Sequence, residues 1–312
     1  MSGSISTLRQ MLIAKRATTY KVVPSSMLGT GFLNFQKLDI KFDPMRIDKN
    51  NQARRVFGNT KPQFDPAGSG QTVSFETSLY RVTSPGSLPT VSELLWACGL
   101  KETVTGGVNV QYTPQTAIDV MLAQSSYLEV HKSGHNYVMN GARGTFTLTG
   151  NPKDGLVFKF ELHAGYTDPV VDADSQPRVG PPMLQLPFTT GTLVTQAGYA
   201  IDISSFEFNY GGKIDKAISS GGMHILLTDI KPTLKIDPLA LATQADVQQL
   251  MAATEVSFNL SVGSGAFILQ AVKCVRTQTE FKEREGRFAN AQTFEIIDNA
   301  PNGDDCFTMT FA

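Results

Sequence analysis

The most regular feature of the chain is an alternation of apolar and polar residues with a period of two. The alternation is strict in Leu38–Asp43, Val157–Leu162, Phe206–Tyr210, Val256–Val262 and Phe307–Phe311. Successive side chains of a β-strand point to opposite faces, so each segment has one apolar face and one wet face. Antiparallel sheets that are covered on one side show this pattern, whereas parallel sheets show continuous apolar runs. The sequence therefore predicts a mainly β protein, of the α+β kind, built from antiparallel sheets.

Two segments follow a helical period instead. The first runs from Thr90 to Gly99, with a capping-box spacing between Thr90 and Glu93 and a glycine suited to a helix C-terminus. The second runs from Thr243 to Met251, and Thr243 is suited to cap it. Each segment predicts a short helix whose apolar side covers a sheet.

A proline-rich stretch divides the chain into two halves. Proline fixes φ and cannot donate to a strand ladder, so residues 165–190 are predicted to be an extended linker. On either side the same order of elements recurs, namely strands, a short helix, further strands and closing strands. In the first half the further strands are predicted as a hairpin around Val138–Thr149. The predicted organisation is a first domain at 1–168 with an N-terminal arm at 1–30, a linker at 169–190, and a second domain at 191–312.

The segment from Asp43 to Thr72 has few alternating runs and contains several prolines and basic residues. Loops longer than about 12–15 residues in a compact domain are usually functional or disordered. We therefore predict a long loop that docks onto a neighbouring subunit, with a mobile surface loop as the alternative. The candidate contact residues are Arg46, Arg54, Arg55, Phe57 and Lys61.

Composition narrows the choice of function. Of the 312 residues, 41% are hydrophobic and 18% are charged, and the formal net charge is −1. A surface poor in charge is one that other copies of the chain can cover. A dedicated nucleic-acid binder would carry a clear basic excess, because phosphate neutralisation supplies most of its affinity. The balance of charge therefore disfavours that class.

The cysteines and the apolar runs indicate a cytoplasmic origin. Cys98, Cys274 and Cys306 are odd in number and widely spaced, which is typical of free thiols in a reducing compartment. No apolar run approaches the roughly 18 residues of a membrane span, and no signal-peptide pattern is present. The chain is expected to be made in the cytoplasm and to have no membrane partner.

Motifs that carry chemistry are absent or incomplete. Gly29–Asn34 is one residue short of a dinucleotide fingerprint, and no phosphate-binding loop or nucleophile elbow occurs. His131 and His135 bracket a predicted turn, yet no third metal ligand stands beside them. Cys98 lies on the apolar stripe of the first helix, where a buried, inert thiol is expected. We therefore predict no catalytic, cofactor or metal site, and not an enzyme.

Three groups of short motifs occur in a fixed order along the chain. The first is Leu94–Val104 followed by Val110–Pro114, the second is Asn140–Phe146, and the third is Gly198–Asp202 with Leu227–Thr233 further on. In this order and spacing they resemble the two-domain major tail tube proteins of long-tailed bacteriophages. The resemblance covers about residue 10 to the end, although Arg54–Gly58 matches the family's loop only loosely.

The resemblance implies a fold, an assembly and a set of partners. The implied fold is two tandem tail-tube-type domains, each made of two packed antiparallel sheets flanked by a short helix. Three copies would form a ring with six similar domains, and stacked rings would form the virion's tail tube. The implied partners are other copies, a tape measure protein, distal tail or tail tip proteins, and a tail terminator. Phage DNA would pass through without specific binding, so we predict a lumen that is not net basic.

Several other functions stay open at this point. A tail terminator or a secretion-type injection-tube protein would share the fold but differ in how rings stack. A β-sandwich module that binds carbohydrate would remain a monomer and expose aromatic side chains. A hydrolase would need a cleft with convergent titratable groups.

Overall fold

A computed structural model gives the conformation of most of the chain. It describes residues 10–17, 19–24, 32–47, 63–171, 184–188, 192–220, 222–239, 248, 250–284, 287–299 and 305–312. Every strand pair in these ranges is antiparallel, and helices are short and few. The mainly β fold predicted from the alternation is thus confirmed.

Ten strands and two helices lie within the described residues of the first half. They are β1 Gln10–Ala17, β2 Phe32–Leu33, β3 Gln36–Ile47, β4 Gln63–Ser78, α1 Ser92–Ala97, β5 Leu100–Thr105, β6 Asn109–Pro114, α2 Ile118–Ala123, β7 Ser125–Lys132, β8 His135–Asn151, β9 Gly155–Gly165 and β10 Val170–Val171.

The described residues of the second half contain ten more strands. They are β11 Leu193–Gln196, β12 Tyr199–Ala200, β13 Ile203–Asn209, β14 Gly212–Ser219, β15 Gly222–Ile230, β16 Thr233–Pro238, β17 Glu255–Val262, β18 Phe267–Arg284, β19 Arg287–Ile296 and β20 Phe307–Phe311. Most of the predicted helix from Thr243 to Met251 lies outside the described residues, and the described part, at 248 and 250–251, is helical.

Helix α1 begins one residue later than a cap at Thr90 predicts. Its N-cap is Val91, and no side-chain cap hydrogen bond forms, so the capping box between Thr90 and Glu93 is wrong. The reason is that Arg16 engages the Glu93 carboxylate, with 3.3 Å between Nε and Oε2. The C-terminal prediction is confirmed, because Gly99 adopts φ +78.

Two segments, one predicted as a hairpin and one as a loop, differ in the structure. The predicted hairpin around Val138–Thr149 is wrong, because β8 runs straight through it and pairs with β7 first and β9 afterwards. The predicted loop from Asp43 to Thr72 is wrong at both ends, since β3 continues to Ile47 and β4 begins at Gln63. Prolines and glycines hid the period of two there, yet the two strands pair along this stretch.

The predicted arm and linker also contain paired residues. Strand β1 pairs with β7 along its whole length, so residues 10–17 belong to a sheet. In the linker, β10 pairs with β8 through Val170 and Val171, and Gln185 forms a bridge with Tyr80. Proline before a strand does not prevent pairing, because only its own N–H is lost.

The two halves pair their strands in the same order. The order is β2-β1-β7-β8-β9-β4-β3 in the first half and β12-β11-β17-β18-β19-β16-β13 in the second. A register shift lies between Ser126 and Leu128 in the first half and between Val256 and Phe258 in the second, at the same place in the pairing. Strands β10 and β20 flank β8 and β18 respectively.

Hydrogen-bonded strands and a shared core join the halves. Strand β13 pairs with β8, and β20 pairs with β6. Between the sheets, the rings of Phe146 and Tyr210 stack with their centroids 5.0 Å apart, and those of Phe208 and Phe307 are also 5.0 Å apart. The buried apolar residues therefore form one core that contains side chains from both halves.

Candidate assembly surface

Eight strands form a continuous sheet that crosses both halves. Their order is β3-β4-β9-β8-β13-β16-β19-β18, four strands from each half. One face packs on the core through large side chains such as Phe75, Phe158 and Phe206. The residues between them point the other way, and we call that side the wet face.

The wet face is polar, with opposite charges placed across neighbouring strands. Glu76 lies opposite Lys159, and Glu207 lies opposite Lys235. Such cross-strand pairs favour the observed register. Charged residues of the wet face include Lys37, Lys41, Lys159 and Lys235, against Asp39, Asp43, Glu76, Glu161, Glu207, Asp237, Glu280 and Glu295. Carboxylates outnumber ammonium groups, so the described part of this face is not net basic.

Part of the wet face is concave. A depression of 700 Å³ lies over β3, β4, β9, β8 and β13, and polar side chains line most of it. Hydroxyl groups of Thr147 and Thr149 line it together with three lysines and three carboxylates. The depression therefore has no excess of either sign of charge.

The sheet is open at both lateral edges. Among the strands that the structure describes, β3 pairs only with β4, and β18 beyond Arg276 pairs only with β19. The backbone N–H and C=O groups of an open edge are a template for pairing with another chain. These two edges belong to different halves of the molecule and lie at opposite ends of the eight-stranded order.

A hairpin from the second half packs on the first half. It consists of β14 and β15, and its residues Met223, Ile225 and Leu227 are buried. Met223 lies over Gly70, where a Cβ would meet its sulfur at 2.9 Å, and beside Gly165. Because Gly70 and Gly165 pair directly, the two glycines leave the space that the hairpin fills.

Arg143 fixes this hairpin from below. The guanidinium is buried and donates to the carbonyl of Gln124 at 2.7 Å, to that of Ile225 at 2.6 Å, and to that of Leu122. It also lies over the Tyr20 ring, 4.1 Å from the centroid. Burial lowers the pKa of Arg143, and the carbonyl oxygens supply the partners that a buried cation needs.

A second polar network holds β1 against α1 and the β5–β6 hairpin. Arg16 donates both terminal nitrogens to the Glu102 carboxylate, at 3.0 and 2.9 Å, and stacks on the Trp96 ring. Tyr112 and Ser92 donate to the same carboxylate at 2.7 and 2.8 Å. Burial opposes ionisation of Glu102, but these hydrogen bonds outweigh it and lower the pKa of the carboxyl group.

The β3–β4 hairpin contains the one predicted contact residue that the structure describes. Arg46 is exposed in β3, opposite Phe64 of β4, whereas Arg54, Arg55, Phe57 and Lys61 lie outside the described residues. An apolar groove of 350 Å³ lies at the base of this hairpin, and Phe42 and Phe64 in it are 45% and 49% exposed.

The cysteines and histidines that the sequence analysis considered as possible site residues have the following surroundings. Cys98, Cys274 and Cys306 are buried, and burial raises the pKa of each thiol. His135 Nδ1 lies 3.2 Å from the carbonyl oxygen of Ser133 within a tight turn. In the described ranges, no three His, Cys, Asp or Glu residues are grouped to hold a metal ion. None of the helices in those ranges has the length and apolarity to span a bilayer.

No protein-family model matches the chain, and no curated protein matches it either. What the chain does is therefore inferred from its open sheet, its wet face and the resemblance of its motifs.

Proposed function

We propose that the chain is a structural protein of a phage virion, which assembles into stacked rings that form a hollow tail tube. The observation that carries this proposal is the eight-stranded sheet with one wet, partly concave face and two open edges. An isolated sheet of this kind invites edge-to-edge association, and closure into a barrel removes both edges at once. Identical copies arranged around an axis supply that closure, and the wet faces then line a channel.

The repeated pairing order supports two tandem domains of the tail tube type. Both halves carry the same seven-strand order and the same register shift, which is expected of a duplicated unit. Each copy then presents two similar units to a ring, so three copies give six. About 24 strands spaced roughly 4.8 Å and tilted near 40° close at a backbone diameter of about 45–50 Å. A channel of that width leaves room for duplex DNA after side chains are added.

The charge of the wet face fits passage of DNA. A basic wall would hold phosphates and slow the movement, whereas a face with a carboxylate excess does not. In this proposal the tape measure protein occupies the channel before DNA. Distal tail or tail tip proteins and a tail terminator contact the two ends of the tube.

The β3–β4 hairpin is the proposed contact with a neighbouring copy. By pairing order it is the counterpart of the β14–β15 hairpin, which extends from β13 and β16. The β14–β15 hairpin packs on the first half of its own chain. By the same geometry, the β3–β4 hairpin would pack on the second half of a neighbouring copy. Arg46, Arg54, Arg55, Phe57 and Lys61 belong to this segment. Replacing residues 48–62 by a short turn should abolish tube growth with a folded subunit, and tubes of normal length would refute this contact.

Electron microscopy of the purified chain over a range of concentrations tests the proposed function. Stacked rings with an open centre are expected. Single rings that never stack would instead favour a tail terminator, and long tubes without phage association would favour an injection-tube protein. A lone particle at every concentration, together with no labelling of tail shafts by an antibody against the chain, would contradict the proposal.

A further inference from the structure

The junction between the halves shows how two such units pair edge to edge. Strand β13 lies antiparallel to β8, with Asn209 opposite Thr147 and Glu207 opposite Thr149. This junction has a fixed register because both strands also belong to the sheet on their other sides. The open edges are the counterparts of these two strands, since β3 corresponds to β13 and β18 corresponds to β8.

Residue-by-residue correspondence follows from the shared register shift. Ala142 of β8 and Cys274 of β18 are the first paired residues beyond it. One residue further along, the partners in β9 and β19 are His163 and Glu295. These two positions are therefore equivalent.

The same correspondence can be followed from strand to strand, through residues that pair directly, as far as β3 and β13. The row of His163 ends at Lys41 of β3, and the row of Glu295 ends at Asn209 of β13. Lys41 is thus the counterpart of Asn209, and Asp39 is the counterpart of Glu207.

The same step identifies the counterpart of Thr147 in β18. Thr147 pairs with Lys159, four residues before His163. Four residues before Glu295 stands Ala291, and its partner in β18 is Glu280. Glu280 therefore occupies the position of Thr147.

We propose that β3 of one copy pairs antiparallel with β18 of the next copy in the register of the internal junction. This inference rests on the proposed function, and it names the two edges and their alignment. Lys41 of one copy then lies opposite Glu280 of its neighbour. Two residues along each strand, Asp39 lies opposite Lys282, so both positions combine opposite charges.

Charge discriminates this register from its nearest competitors. A slip of two residues in one direction places Lys41 opposite Lys282, and a slip in the other direction places Asp39 opposite Glu280. Like charges directly opposite each other destabilise a strand pair. A slip of one residue turns the wet residues of β3 toward the core side, which the alternation forbids. At the two positions considered, Lys41 and Asp39, only the transferred register avoids like charges and keeps the wet faces together.

The side chains at the edge of β3 already point to the wet side. Lys41 and Asp39 are exposed, with 3.4 Å between the ammonium nitrogen and the carboxylate oxygen. Glu280 is half-buried and accepts a hydrogen bond from the amide of exposed Gln278 at 3.0 Å. Pairing of the two edges would therefore bring these charges together without uncovering buried groups.

Charge reversal at one predicted pair tests the register. Lys41→Glu and Glu280→Lys are each expected to raise the concentration needed for ring formation about three- to tenfold, from a repulsion of roughly 1 kcal/mol per contact. The double variant restores the attraction in reverse and should assemble within about twofold of the unaltered protein. Thermal unfolding of dilute monomer serves as the control, because the two residues do not meet within one copy.

Disulfide formation reads the register directly. The pair Lys41→Cys and Glu280→Cys should cross-link between copies, since Cβ atoms directly opposite each other lie about 4.5–5.5 Å apart. The matched control is Lys41→Cys with Lys282→Cys, which is shifted by two residues and should cross-link at least tenfold more slowly. The unaltered chain controls for its buried native thiols.

The outcomes separate the register from the proposed function. Assembled rings in which the 41–282 pair cross-links faster, or in which the double charge reversal rescues nothing, overturn the register alone. An unaltered chain that forms no rings overturns the proposed function and this inference with it. Rescue by the double reversal together with selective 41–280 cross-linking supports both.

Discussion

The two halves of the molecule share a strand order but differ in what has been added to it. The first half carries the β5–β6 hairpin. The second half has β14–β15 as a separate hairpin, at the place where the first half extends β3 to Ile47 and begins β4 at Gln63. Each addition binds the opposite half, because β6 pairs with β20 and β15 packs over Gly70, Gly165 and Arg143. The common scaffold thus provides the sheet, and the differences between the halves provide the attachments that hold them in one body.

Removing the Arg143 side chain should weaken the attachment of the β14–β15 hairpin to the first half more than any other change considered. Arg143→Ala leaves buried carbonyl oxygens without a donor and frees the β14–β15 hairpin. The free energy of unfolding of the monomer should fall by about 3–5 kcal/mol, because each of the three carbonyl oxygens left without a donor costs about 1–3 kcal/mol. Hydrogen exchange should show the amides of β15 losing protection first. Lys213→Ala, on the exposed strand of the same hairpin, is the control and should change little.

A methyl group added at Gly150 tests how tightly the two halves pack where β8 pairs with β13. Gly150 faces Phe206 of the other half, and an added Cβ would lie 2.2 Å from a ring carbon. Gly150→Ala should lower the free energy of unfolding by about 1–3 kcal/mol, because β8 and β13 must move apart. Gly106→Ala has open space around it and should stay within about 0.5 kcal/mol. Equal effects of the two substitutions would contradict the tight junction.

Acid sensitivity tests the attachment that the first half adds. The pKa of Glu102 is lowered in the folded chain, so its stabilisation is present above the unfolded value of about 4.5 and is lost as pH falls through the folded value. Glu102→Gln should lower the free energy of unfolding by about 1–2 kcal/mol at pH 7 and by less at pH 3. Chemical denaturation at both pH values measures the difference. A cost that stays the same at pH 3 would show that ionisation of Glu102 does not matter.

The smallest effect is expected from the ion pair between the hairpin and the first half. Lys216 Nζ lies 2.5 Å from Asp43 Oδ2, but the pair is exposed to solvent. Lys216→Ala should therefore cost no more than about 0.5 kcal/mol, and salt should remove the effect. A loss as large as that of Arg143→Ala would mean that charge, and not apolar packing, holds the hairpin.

Sequence patterning predicted the parts of the fold that have one apolar and one wet face. The alternation in Val157–Leu162 and Phe206–Tyr210 located two central strands of the sheet, because those strands are covered on one side only. It failed for β1 and for the distal part of the β3–β4 hairpin, residues 44–47 and 63–71. Strand β1 carries buried Leu12, Ile13 and Ala14 in succession, and Pro44 and Gly70 interrupt the pattern of the hairpin.

The candidate surface could be predicted only in part. A wet face follows from alternation, but its open edges depend on which strands become neighbours, and β8 and β18 each pair with several. Arg143 contacts residues as far apart in sequence as Tyr20 and Ile225. Local sequence spacing therefore cannot predict these contacts. Gly70 and Gly165 are the sequence feature that could have indicated the packed hairpin. A glycine inside a strand often marks a place where another segment approaches closely.

The most direct measurement of the central claim is the mass and symmetry of the assembled chain in solution. Native mass spectrometry and averaged cryo-electron micrographs should show hollow rings of three copies, about 102 kDa from a chain of 33.9 kDa, with six similar lobes around the opening. A homogeneous 33.9 kDa particle at every concentration, with its sheet edges uncovered, would contradict the account.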